Sequence, residues 1–136
     1  MRCFLLLAAC LWAFAAFAGE SPVDAEIDAL IARVGQARHV EFIRNGSAHT
    51  AAEAAAHLQR KRLAAGGRFA SAEQFIDLVG TRSSLTGRAY RVRMADGREL
   101  DSAPWLRQLL REVRAARLST PPPAAAVAPS PAPAGR

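Results

Sequence analysis

The sequence predicts an α+β domain, about four helices with a small two- or three-stranded antiparallel sheet. Helix-start signals followed by amphipathic or alanine-rich stretches occur at Ser21, Thr50, Ser71 and Asp101. Two short segments, around Phe42 and Val92, alternate apolar and polar residues as half-buried strands do. Asp96-Gly97, between the second of these and Arg98-Glu99-Leu100, is a two-residue hairpin turn.

In chain order, Ser21 is an N-cap with Pro22 in the first helical position. Val23, Ile27, Leu30, Ile31 and Val34 then share one face, and Gly35 is a possible end. Acidic Asp24, Glu26 and Asp28 near the start and basic Arg33 and Arg38 near the end suit the helix dipole. Val40 to Arg44 reads as a strand ended by Asn45-Gly46. Thr50 and Glu53 form a capping box for a helix that runs to about Ala65 and stops at Gly66-Gly67. Alanines dominate this helix, so a neighbour can approach it closely. Ser71 and Gln74 form a second capping box, with Phe75, Leu78 and Val79 expected on the inner face of a short helix. Tyr90, Val92 and Met94 alternate with Arg91 and Arg93 in the second strand, and a third strand is expected around Phe42. Trp105, Leu106, Leu109, Leu110 and Val113 line the last helix, opposite Arg107, Arg111 and Arg114.

The ends have a different character. Arg2, the uncharged apolar run Phe4 to Phe17 and Ala16-Phe17-Ala18 before Gly19 read as a secretory signal peptide, residues 1–18, cut after Ala18. The run is too short to span a bilayer, which takes about 20 residues. A lipoprotein box at Leu7 to Cys10 would leave only Phe4 to Leu7 as the apolar core, so lipidation of Cys10 is not expected. Cleavage after Ala18 removes both cysteines, Cys3 and Cys10, and with them any disulfide or thiolate chemistry. From Ser119 the Pro/Ala-rich tail, 119–136, cannot bury a core. One globular domain, 19–118, remains. Seventeen basic and twelve acidic side chains follow the cleavage point, a net charge of about +5. Lys61 is the one lysine among them. Export argues against nucleic acid as partner and leaves an anionic envelope component or an envelope protein. No cofactor and no transmembrane segment after signal removal are expected.

Polar residues concentrate between Glu41 and Lys61. Arg44 beside the Asn45-Gly46 turn suits a carboxylate or phosphate, because a guanidinium fork next to turn N–H groups cradles anions. Its structural alternative is pairing with Glu53 or capping helix carbonyls. His57 joins it as a candidate ligand residue, with the Ser83 and Ser84 hydroxyls opposite. His49, Glu53 and His57, four residues apart, are a weaker metal alternative. Thr50 as N-cap puts His49 outside the helix, and the capping box occupies Glu53. Ser84 as a nucleophile would predict a hydrolase, but no Gly-x-Ser-x-Gly elbow surrounds it. Arg88, Arg91, Arg93 and Arg98 on the hairpin, with Arg107, Arg111 and Arg114, could form a basic surface.

Phe42-Ile43-Arg44-Asn45-Gly46, His49-Thr50 and Ala56-His57-Leu58 resemble the leading motif of the YfeK-like proteins, small exported bacterial proteins built on a domain of unknown function. The resemblance continues through Ala72-Glu73-Gln74-Phe75-Ile76, Ser83-Ser84-Leu85-Thr86-Gly87, Tyr90 and Trp105-Leu106, nearly all of Val23 to Val113. It implies a periplasmic or envelope-exposed protein and transfers no catalytic or binding residue. That the His49 position can be tyrosine in such proteins implies a packing or hydrogen-bonding role there. The expected function is a non-enzymatic binding or scaffolding domain of the cell envelope. The alternative is a metal- or small-anion-binding periplasmic protein using the Arg44–His57 region.

Overall fold

The computed structural model describes residues 21–120. The expected signal peptide and the tail beyond Thr120 lie outside the described residues. Helix α1, Pro22–Gly35, begins where Ser21 Oγ accepts the Asp24 N–H at 3.1 Å. Its stripe of Ile27, Leu30, Ile31 and Val34 is buried. Helix α2, Ala51–Ala64, carries the expected capping box: Thr50 Oγ1 accepts the Glu53 N–H, and the Glu53 carboxylate accepts the Thr50 N–H at 2.8 Å. Both α2 and the final helix α4, Ser102–Ser119, pack against α1. Their shared core holds Ile27, Leu30 and Val34 with Leu58, Phe75, Ile76, Leu106 and Leu110.

The sheet has four strands rather than two or three. Strands β1 (Glu41–Arg44), β2 (Ser47–His49), β3 (Arg91–Arg93) and β4 (Glu99–Asp101) lie in the order β2-β1-β3-β4, all antiparallel. The additional strand is β2. Asn45 (φ 52°) and Gly46 (φ 86°) both take left-handed backbone, which turns the chain straight back and pairs Arg44 with Ser47. Ser47-Ala48-His49 has neither alternation nor β-branched residues, so only its partner makes it a strand.

Helices cover one face of the sheet. Phe42 and Val92 are cross-strand neighbours on that face, and the Phe42 ring meets Trp105 of α4 edge-on at 5.3 Å between centroids. On the open face Arg93 pairs with Glu41 and Glu99, both at 2.8 Å, and Arg91 pairs with Glu99 at 3.2 Å.

Helix α3, Ala72–Phe75, passes into one π-helical turn, Ile76–Gly80. This overturns the expected place of Leu78. The wider turn rotates it outward to 63% exposure, while Phe75 and Val79 stay buried. Carbonyls at both ends of that turn are taken up by side chains. Thr81 Oγ1 donates to Ile76 O, Lys61 Nζ to Val79 O at 2.9 Å, and Ser102 Oγ to Gly80 O at 2.5 Å. At Gly80 an added Cβ would lie 2.6 Å from Leu106 Cδ1, so glycine is what lets α4 approach this closely.

Candidate functional site

Arg44 follows Phe42 by two residues and therefore points to the same, helix-covered face. A guanidinium on the inner face of a sheet needs a partner. It finds His57, whose position on α2 brings Nδ1 within 2.6 Å of Arg44 Nη1. The bond fixes the imidazole tautomer. A guanidinium only donates, so Nδ1 presents its lone pair and the ring proton sits on Nε2. Nε2 donates in turn to the Tyr90 hydroxyl at 3.1 Å. Lys61, one turn beyond His57, reaches Val79 O and Arg82 O at 2.9 Å, and its ammonium lies 5.0 Å from the Tyr90 ring centroid.

Burial first, then the positive charges of Arg44, Lys61 and Arg60, hold the His57 imidazole down to about 4. Burial lowers the Lys61 ammonium and raises the Tyr90 phenol, the latter against the opposing pull of Arg44. Near neutral pH His57 is therefore uncharged with both ring nitrogens engaged. A base of pKa about 4 is poorly matched to proton transfer at pH 7. Arg44 itself pairs with no carboxylate among the described residues, and neither does Arg60.

Beside this row of side chains lies a cavity of about 290 Å³ between the inner sheet face, α2 and the start of α4. Phe42, Ala54, Leu58 and Leu106 supply apolar wall. Arg44, His49, Glu53, His57, Arg60 and Tyr90 bring polar groups to it.

The other expected candidates sit as follows. Glu53 is held by Thr50, so the alternative Arg44–Glu53 pairing is replaced by Arg44–His57. Asn45 Oδ1 accepts the Thr86 hydroxyl at 2.7 Å, tying the β1–β2 turn to the Ser83–Gly87 loop. Ser83 is buried, accepts the Thr86 N–H at 3.3 Å and adjoins the Tyr90 phenol. Ser84 is exposed and does not line the cavity. His49 is on β2, outside the helix, and Glu53 and His57 are engaged as described. Among the described residues no group of three or more His, Cys, Asp or Glu side chains is arranged to hold a metal ion.

The arginines of the expected basic surface face carboxylates in most cases. Arg91 and Arg93 form the open-face pairs given above, Arg98 pairs with Asp96, and Arg107 pairs with Asp77. Arg114 bridges Glu26 and Glu73 at 2.7 and 2.6 Å. Arg111 is bonded to Gln108.

Sequence reasoning did not place Lys61 and Tyr90 in the site with His57. The available signal was spacing, since Lys61 follows His57 by four residues on α2, and Lys61 is the single lysine in an arginine-rich chain. Arg62 was also missed. It is only 7% exposed and bonded to Asp24 and Asp28, and it follows buried Leu58 by four residues.

Comparison with known proteins agrees with the motif. Residues 21–114 match DUF5329, a family of unknown function. The chain belongs to that family. A protein of Salmonella typhimurium called uncharacterized protein YfeK is 42% identical over 67 residues, which is 49% of this chain and 56% of that relative. The match thus spans little more than half of the relative's length. No solved structure matches the chain. The matched family segment holds the whole Arg44–His57–Tyr90–Lys61 row and the cavity beside it.

Proposed function

We propose that this protein is an exported, non-enzymatic binding domain that takes an anionic ligand in the cavity beside Arg44. One observation carries the reading. A guanidinium turned to the inner side of the sheet has a neutral imidazole as its hydrogen-bond partner and no carboxylate paired with it among the described residues, the nearby Glu53 being bonded to Thr50. One of its N–H groups is engaged by His57, and the remaining donors suit an incoming anion. The carboxylate partners of Arg91, Arg93, Arg107 and Arg114 make a broad basic surface a poorer anion site than the cavity. The low basicity of His57 and the engagement of both its nitrogens support binding over catalysis.

Acetate, added to the ¹⁵N-labelled protein, is expected to shift the Arg44 side-chain signal and those of residues around the cavity. Arg44→Gln is expected to weaken the interaction at least about tenfold, as loss of a charged hydrogen bond implies. Equal binding by the variant, with its fold intact, would remove Arg44 from the function.

Export rests on the leader ending at Ala18. The intact mass of the protein recovered from a periplasmic fraction of its bacterial host is expected to correspond to a chain beginning at Gly19. Recovery of the full-length chain from the cytoplasm would sink this part of the reading.

A further inference from the structure

We infer that the ligand is an amphipathic monocarboxylate, a short acyl or arylalkyl acid, with its carboxylate on Arg44 and its hydrocarbon part against Phe42, Ala54, Leu58 and Leu106. This deepens the proposed function and rests on it. The cavity combines two surfaces that no single simple solute satisfies. Its interior is apolar, contributed by the sheet, α2 and α4 together, and about 290 Å³ is room for a small organic body rather than for one ion. At one side stands Arg44, whose guanidinium pairs with no carboxylate among the described residues.

The remaining polar groups narrow the class. His57 spends its Nε2–H on the Tyr90 oxygen, so of this pair the Tyr90 hydroxyl proton is the one donor left for a ligand. Glu53 also borders the cavity and opposes an anion, but Thr50 holds its carboxylate through both its N–H and its hydroxyl. A phosphate dianion in this setting would lose hydration on the apolar walls without gaining the several donors it needs. A wholly apolar ligand would cover the Arg44 guanidinium and leave its free donors without water or partner. A single carboxylate matches the guanidinium fork, and an attached chain matches the walls.

The test is a calorimetric series on the full mature chain at pH 7, using acetate, butyrate, hexanoate, octanoate, 1-hexanol and inorganic phosphate. Affinity is expected to rise about fourfold for each added methylene until the cavity is filled, and then to level off. Hexanoate is expected to exceed 1-hexanol by at least about tenfold, a difference that Arg44→Gln abolishes. Ala54→Met, which occupies part of the cavity, is expected to move the plateau to a shorter acid, and a circular-dichroism melt establishes that the variant is folded. Binding of acetate and phosphate without dependence on chain length would overturn the amphipathic assignment while leaving the anion site standing. Equal binding of hexanoate and hexanol would overturn the role of the carboxylate. No binding by any of the acids or by phosphate would overturn both readings.

Discussion

Arg62→Ala is expected to lower the stability of the domain by about 2–3 kcal/mol, equivalent to a fall of roughly 10–20 °C in Tm. Arg62 lies on the inner side of α2, and its guanidinium meets Asp28 at 2.5 Å and Asp24 at 2.8 Å, both on α1. The two carboxylates are one helical turn apart and bracket it, so the ion group fastens α2 to α1. Ser21 and Arg62 hold the Asp24 carboxyl below its usual range. Truncation removes these bonds together with the buried aliphatic stem. The carboxylates left behind keep 34% and 44% of their side-chain surface in water and can be resolvated, which places the loss below that of a fully buried pair. The same asymmetry predicts an order among variants. Arg62→Met keeps the volume, removes the buried charge and is expected to be mild. Asp24→Asn combined with Asp28→Asn leaves the guanidinium buried without a counter-charge and is expected to be worse than Arg62→Met. Urea melts of these variants at pH 7 check the order, and an unchanged midpoint for Arg62→Ala would show that the group does not hold the helices together.

The second large effect is a loss of stability on mild acidification that depends on His57. The imidazole is held down to about 4 in the folded protein, against an ordinary value of 6.5. Above pH 6.5 the ring is neutral in both folded and unfolded chains and there is no penalty. Between pH 6.5 and about 4 the unfolded chain takes up a proton that the folded one refuses, so stability falls as pH falls. Below about pH 4 both states are protonated and the loss is complete. The full linkage would be about 3 kcal/mol, and screening by water at the cavity reduces the expected loss to about 1–2 kcal/mol. The geometry supplies the reason, since protonated Nδ1 would turn a donor toward the Arg44 guanidinium 2.6 Å away. His57→Gln, able to accept from Arg44 and donate to Tyr90, is expected to flatten the stability profile across this window. An NMR titration of the His57 ring with a midpoint near 6.5 would contradict the account.

The helices were legible because their signals are local. Ser21, Thr50 and Ser71 each cap within three residues, and the stripe of α1 repeats at helical spacing, so no distant contact is needed to read them. β2 was not legible, because Ser47 to His49 has no strand preference and is extended only by pairing with β1. Leu78 was misplaced for a related reason, since helical periodicity assumes an α turn and the chain makes a π turn held by Lys61, Ser102 and Thr81.

The candidate site was half legible. Arg44 and His57 stood out as polar residues in an apolar–polar pattern, but nothing local connects them, thirteen residues apart, to one another or to Tyr90. Arg62 was hidden because in sequence it is one arginine among many, and its carboxylates lie on another helix. The expected basic surface failed to anticipate pairing for the same reason. A sequence counts charges, whereas Arg114 meets Glu26 and Glu73 only after α1, α3 and α4 have packed.

Short-range physics made the caps of α1 and α2, the apolar faces of α1 and α4, and the motif that marks membership of the family readable in the sequence. The expected two-residue Asp96-Gly97 turn is instead a three-residue loop, Ala95-Asp96-Gly97, closed by the Met94 N–H on Arg98 O at 2.8 Å, because Asp96 keeps a negative φ. The tertiary structure alone decided which charges are balanced. It turned Arg44 to the inner side of the sheet beside a neutral His57, gave Arg62, Arg91, Arg93, Arg107 and Arg114 carboxylate partners, and opened an apolar-walled cavity next to Arg44, which pairs with no carboxylate among the described residues. The division follows from distance. Caps and periodicities act across a few residues, whereas desolvation and charge pairing depend on groups that only folding brings together.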